Sequence, residues 1–393
     1  MQKFTRIHIR KDIISALLLL FSVIAALIIS NNDFTLNYYR YFINYKFTLG
    51  YGELTLDKSV LKFVNDGLMA IFFFLIGLEM KHHLVEGEFK AKNSLILPIN
   101  TAIGGFVIPA LCYIVFNYES PVERAGWAIP VATDTAFVLG ILSLVGGKIS
   151  NSTKIFVLGL SIVDDVLAIT VLAVFYTPHL DLFYLLLCII PLCCLLFLNR
   201  TKSPRQFLYY LGGLILWFMI IKSGIHGTIA GVILALFIPA TVESNGNIIS
   251  FIKENENSVH SVVAFFVLPV FAFVNCELPF NELSIEDFFS SVTIGCFIGL
   301  FIGKPLGIFG AMMLSVTFYN VTLPKNCTKL QFLGVAWLCG IGFTLSLFIG
   351  LLAFDGILLE NQMKLGVLFA SLLSAIIGAA IIKISGQDIN SEN

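Results

Sequence analysis

Asp164 and Asp165 stand side by side in the middle of the apolar stretch 155–173. At about 1.5 Å of rise per residue, that stretch is long enough to cross a bilayer as one helix. A carboxylate at membrane depth costs about 2.5 to 3.5 kcal/mol on the lenient insertion scale. Two adjacent carboxylates add repulsion between like charges. The chemistry that suits such a pair is the holding and release of cations or protons.

Two further ionisable groups lie at the same depth. Asp134 is the sole charge of the segment 127–145 and follows Pro130 and Thr133. Proline inside a helix removes a ladder hydrogen bond and clashes with the preceding turn. Thr133 offers a hydroxyl and a carbonyl, both suitable ligands for a hard cation. Lys304 is the sole charge of the segment 289–316, within Gly303-Lys-Pro-Leu-Gly307. Beside aspartates a buried lysine can stay charged. It then offsets their repulsion and competes with an arriving cation.

The elements that must position these groups follow from composition. The chain has 393 residues, 58% hydrophobic and only 12% charged. A soluble domain runs near 25% charged, so the class is a polytopic membrane protein, all-α, with the lipid bilayer as solvent. A net charge of −1 argues against nucleic acid as a partner. The eight cysteines show no CxxC or Cys/His metal spacing and read as small apolar packing residues. No cofactor is expected.

Twelve apolar segments can be counted, at 12–31, 59–80, 95–116, 127–145, 154–176, 181–199, 206–221, 224–240, 259–275, 289–316, 330–353 and 364–385. The first follows Lys3, Arg6, Arg10 and Lys11 as a signal peptide would. It is longer than a usual signal core and lacks an AxA-type cleavage site, so it reads as the first span. With the N-terminus inside, sixteen Lys and Arg fall on the inner side and seven on the outer, Lys304 lying in the membrane. That bias supports both termini in the cytoplasm. The whole chain, 1–393, reads as one transporter domain with membrane region 12–385 and a cytoplasmic tail 386–393.

Span 4 is breakable at Pro130. Span 11 is breakable at Cys339-Gly-Ile-Gly-Phe-Thr344, where two glycines sit at mid-membrane depth. Spans 3–5 and 10–12 have opposite orientations, each with a breakable middle helix. That pattern points to inverted repeats with two broken helices, in spans 4 and 11, crossing near the bilayer midplane. In the connector 32–58, apolar and polar residues roughly alternate around Gly50 and Gly52. An outer β-hairpin over 45–58 is expected; a lone hairpin is marginal in water, so it could pair with that of a second subunit.

Toward the cytoplasmic face Glu79, Lys81, His82, His83 and Glu86 end span 2, and Glu254, Glu256 and His260 lead into span 9. Imidazole titrates near neutral pH, and carboxylates at a funnel mouth concentrate cations. An ordinary solvated rim explains the same residues as well. Asp66 with Asn65, near the outer end of span 2, could line an exit path or simply face solvent.

At this point the residues resemble the NhaA-type Na+/H+ antiporter family, over about residues 12–385. The strings that carry the resemblance are Asn65-Asp-Gly-Leu-Met-Ala-Ile-Phe-Phe73, Gly77-Leu-Glu-Met-Lys81, Gly126-Trp-Ala-Ile-Pro-Val-Ala-Thr-Asp134, Asp164-Asp165, Lys222-Ser-Gly-Ile-His226, Gly303-Lys-Pro-Leu-Gly307 and Cys339-Gly-Ile-Gly-Phe-Thr344. The resemblance implies a twelve-helix fold in a bacterial inner membrane and a homodimer joined partly by the outer hairpin. It implies a pH-regulated, electrogenic exchange of Na+ or Li+ for protons rather than an enzymatic reaction. Asp164 and Asp165 would bind the cation with Thr133 nearby. Asp134 and Lys304 would neutralise partial charges where the broken helices meet, and Lys304 would also pair with Asp164. Glu79, His83, Glu256 and His260 would form the pH-sensing cluster. There the chain departs from the family: His82-His83 stands where Arg-Glu is frequent, and Asn257 where a histidine is common.

Three other functions fit less well. A Na+-coupled organic-anion symporter needs a basic group to receive the anion, and Lys304 is already surrounded by acids. An intramembrane aspartyl protease needs aspartates facing each other across separate helices, one usually in a GxGD setting, and no GxGD occurs. In a passive channel Lys304 would obstruct cations.

Overall fold

The computed structural model describes residues 2–49, 55–87, 95–145, 149–176, 180–244, 246–319 and 321–385. Nine helices among them are long and apolar enough to cross a bilayer: Ile13–Ser30, Val60–Val85, Ile96–Phe116, Pro121–Val145, Asn151–Phe175, Leu182–Arg200, Phe251–Glu282, Ile285–Phe318 and Ile357–Ser385. A tenth arises if Lys329–Leu338 and Phe343–Ala353, bent by 44°, form one span. The apolar helices Gln206–Lys222 and Thr228–Phe237 are shorter. At about 1.5 Å per residue the latter reaches about 15 Å, half the hydrocarbon thickness. The twelve apolar segments are therefore all helical, yet length and composition alone support nine or ten spans. Large apolar side chains such as Leu186, Ile190 and Phe197 are exposed, as suits a protein whose solvent is lipid rather than water.

The chain divides into two compact units. One comprises Leu19–Lys90 and Leu172–Glu277. In it, helices Met69–Val85 and Thr228–Phe237 pack through small residues: a Cβ on Gly231 would lie 2.1 Å from the carbonyl oxygen of Ala70. Lys81 seals the end of the shorter helix by donating to the carbonyls of Leu236 and Ile238 at 2.7 and 2.5 Å. The expected hairpin pairs Lys46–Leu49 with Leu56–Ser59 in antiparallel register, Lys46 opposite Ser59. It runs one residue past the expected range, and its Gly50/Gly52 turn lies outside the described residues.

Three elements in this unit are absent from the sequence-based expectation. Helix Asp33–Asn44 occupies the first half of the connector 32–58, with the Asn32 side chain accepting from Phe34 N at 3.0 Å. A second hairpin pairs Thr241–Ser244 with Asn247–Ser250, and Gly246 supplies the left-handed φ of +79° that the tight connection requires. Helix Phe251–Val262 then begins on a Ser250 cap.

The other unit comprises Met1–Leu18, Ala91–Val171 and Leu278–Asn393. Its tightest helix crossing is Ile96–Phe116 against Lys304–Tyr319. A Cβ on Gly307 would lie 2.1 Å from Gly104 O, so the two backbones touch. A π-helical turn, Gly299–Gly303, immediately precedes Lys304. Such a turn inserts a residue and rotates the next part of the helix about its axis. Two interruptions complete the frame. The turns of Ala125–Val131 stop at Ala132, and helix Thr135–Val145 begins three residues on. Helix Lys329–Leu338 opens on a capping box of Thr328 and Gln331 and stops before Cys339; Phe343–Ala353 resumes after Gly342.

Candidate functional site

Interrupting a helix frees backbone groups that would otherwise bond within it. In a membrane each one must find a partner. Around the interruptions at 132–134 and 339–342 these partners include the buried Asp134, Thr133 and Lys304 singled out above, together with Ser346 and Ser371, all within one unit.

Asp134 serves the N-terminal ends. Its Oδ1 accepts from Phe137 N at 3.2 Å, capping the helix that follows it. Its Oδ2 accepts from Thr344 N at 3.1 Å and from Thr344 Oγ1 at 2.5 Å, capping helix Phe343–Ala353. Its own N–H donates to Ile341 O at 2.7 Å. One carboxylate thus meets two helix N-termini, where a negative charge is favoured.

Lys304 serves the opposite polarity. Its ammonium, fully buried, donates to the freed carbonyl of Val131. It also donates to Asp164 Oδ2 at 2.7 Å. Thr133 Oγ1 lies 2.8 Å from the same Asp164 oxygen and 3.0 Å from the carbonyl of Cys339. A hydroxyl carries one hydrogen, so it donates to one of these at a time.

Asp164 is 1% exposed and Asp165 7%. Asp164 meets Lys304 and Thr133 through Oδ2, while its Oδ1 is buried without a hydrogen-bond partner among the described residues. Asp165 follows on the same helix, turned by about 100°. The Asp164 carboxylate, the Thr133 hydroxyl and the two freed carbonyls are oxygen donors of the kind hard cations take. The buried ammonium is the competing positive charge.

The second unit holds the other predicted residues. Glu256 Oε2 lies 2.6 Å from His82 Nδ1. His83, the imidazole singled out from the sequence, stacks on His82 instead, at 5.3 Å between ring centres. Glu79 lies three residues before His82 on the same helix. His260 lies one turn after Glu256 on helix Phe251–Val262. Asp66 pairs with Lys58 at 2.6 Å, and its carbonyl accepts from Trp217 Nε1 at 2.9 Å. Asn65 and Asn275 exchange hydrogen bonds at 3.1 and 2.8 Å.

Sequence reasoning missed several members of both groups: Thr344 and the carbonyls of Val131 and Cys339 in one, Asn275 and Trp217 in the other. Pro130 and Gly340 marked where carbonyls would be freed. No residue pattern indicated which side chains would reach them.

Comparison with known proteins agrees with the residue pattern. The sequence profile described as Na+/H+ antiporter 1 matches residues 6–382. A protein of Rickettsia massiliae (strain Mtu5), called Na(+)/H(+) antiporter NhaA, is 42% identical over 379 residues, covering 95% of this chain and 93% of its own. One of the same name from a Nitratiruptor species is 42% identical over 375 residues, covering 95% and 96%. Another from Salmonella arizonae is 41% identical over 369 residues, covering 93% and 94%.

Proposed function

The chain belongs to the Na+/H+ antiporter 1 family, and from that premise we propose that it exchanges Na+ or Li+ for protons across a bacterial plasma membrane. The observation that carries this reading is Asp164. A carboxylate 1% exposed in a membrane helix is bound to a lysine ammonium and a threonine hydroxyl through one oxygen.

Asp164 and Asp165 act as one coupled titrating pair. With protons on board they lose affinity for Na+. Deprotonated, they offer two carboxylates, with Thr133 and freed carbonyls beside them. Lys304 holds Asp164 while no cation is bound and yields as one arrives. Alternating exposure of this site to the two faces then moves protons inward and Na+ outward. Cycling both carboxylates moves more protons than Na+ ions, so the exchange is electrogenic. Asp134 and Lys304 compensate the ends of two broken helices that cross near midplane in inverted repeats.

The remaining assignments belong to the same reading. The chain forms one transport domain of twelve spans with both termini cytoplasmic, and pairs as a homodimer partly through the outer hairpin. Glu79, His82, His83, Glu256 and His260 regulate exchange with pH. Asp66 lines the outer path.

The test is an everted vesicle carrying a pH-sensitive dye. Na+ and Li+ are expected to discharge an imposed pH gradient where K+ does not. An imposed membrane potential is expected to change the rate. A rate indifferent to potential removes the electrogenic assignment, and no response to Na+ or Li+ removes the function.

A further inference from the structure

Ser161 lies on helix Asn151–Phe175, three residues before Asp164 and four before Asp165. Residues at those spacings share one helix face, with Cβ atoms about 5 to 6 Å apart. Ser161, Asp164, Asp165 and Ala168 form one buried stripe, and Ser161 is 1% exposed.

A hydroxyl inside a helix commonly donates to the carbonyl four residues back. Thr101, Thr170, Ser315, Thr317 and Ser385 all do so here. Ser161 does not. Its Oγ is buried with no hydrogen-bond partner among the described residues, as is Asp164 Oδ1 one turn on. A buried hydroxyl that forgoes its own backbone bond is destabilising unless something else engages it. Two other buried hydroxyls are unpartnered among the described residues: Ser374 Oγ, which lies against Gly340 with no carboxylate within a turn of it, and Thr135 Oγ1, which follows the single acid Asp134. Of these three hydroxyls, Ser161 is the one that shares its turn with two acids.

We propose that Ser161 Oγ is a further ligand of the transported cation and sets its affinity. The assignment rests on the reading of Asp164 and Asp165 as the cation site. A neutral hydroxyl adds a hard oxygen without adding charge. It therefore strengthens Na+ or Li+ binding while leaving the number of protons exchanged unchanged.

The experiment is a Na+ titration of exchange in everted vesicles for Ser161→Ala, Ser161→Cys and Ser161→Thr. Equilibrium Na+ binding to the purified proteins and their melting temperatures run alongside. Ser161→Ala is expected to raise the apparent KM for Na+ about tenfold at an unchanged maximal rate, the size expected for one lost polar contact to a charged species. Ser161→Cys should follow it, because soft sulfur is a poor ligand for a hard cation. Ser161→Thr, which keeps the hydroxyl, should stay within about twofold. A packing role predicts the reverse order, with the near-isosteric cysteine behaving as wild type and threonine failing; that ranking, or an unchanged KM in the alanine variant, overturns the proposal. If Asp165→Asn stops exchange while Ser161→Ala leaves KM alone, the serine assignment fails and the carboxylate site stands. If wild-type vesicles show no Na+-dependent exchange, the site reading itself has failed. Should the alanine variant not fold, the cysteine variant decides.

Discussion

Asp165→Asn is expected to abolish Na+-dependent proton movement in everted vesicles, lowering the initial rate by more than about 100-fold, while the protein still folds. Asparagine keeps the shape of the side chain and removes its charge. Loss of a group that merely orients a metal ligand costs about 10- to 100-fold, so loss of a charged ligand should cost at least as much. The matched variant Asp164→Asn separates transport from stability. Asp164 carries the hydrogen bonds to Lys304 and Thr133, so neutralising it strands a fully buried ammonium. Breaking one partner of a buried ion pair costs about 3 to 5 kcal/mol. Both variants should lose exchange, and only Asp164→Asn should lower the melting temperature in detergent strongly. Exchange retained by Asp165→Asn removes Asp165 from the site.

Asp134→Ala carries the second large effect, and it falls on stability. The carboxylate caps its own helix through Phe137 N and a distant one through Thr344 N and Oγ1. Alanine leaves both N-termini without an acceptor at membrane depth, where water is scarce. Loss of one helix cap costs about 0.5 to 2 kcal/mol, and a buried donor left unmade costs about 1 to 3 kcal/mol. For two helix ends the cap losses sum to about 1 to 4 kcal/mol, a fall of about 1 to 5 °C in melting temperature for a chain of this length. Asp134→Asn, which keeps one acceptor oxygen, should recover about half of the loss. An alanine variant that melts with the wild type would show that the two caps carry no weight.

The buried charges were legible in the sequence because an apolar window makes any ionisable residue conspicuous. Asp134, Asp164, Asp165 and Lys304 all stand out that way. Pro130 and Gly340 likewise marked the interruptions, since one lacks a donor and the other lacks a side chain. What stayed hidden were partners defined only by tertiary structure. The carbonyls of Val131 and Cys339 become available because the chain stops being helical there, and no residue type announces that Lys304 or Thr133 will reach them. Thr344 could be read as part of a weak helix but not as the group facing Asp134, 210 residues earlier.

Neighbouring histidines illustrate the same limit. Positions i and i+1 on a helix are about 100° apart, so packing decides that His82 rather than His83 meets Glu256. The hairpin at 241–250 is a different kind of omission. Asn245-Gly246 is a strong hairpin dipeptide, yet its flanks hold few apolar residues besides Val242, Ile248 and Ile249, so the segment read as a polar connector. Helix Thr228–Phe237 shows the reverse case: its apolar character was plain, but its ten residues are too few to settle a span by length.

Na+ and protons compete, on this account, for the same two carboxylates. Adding Na+ to the purified protein in weakly buffered detergent solution, with a pH dye, tests that directly. Proton release that saturates with Na+, is reproduced by Li+, and vanishes when Asp164 and Asp165 are both asparagine is the predicted result. Saturable Na+ binding with no proton release from the wild-type protein would contradict it.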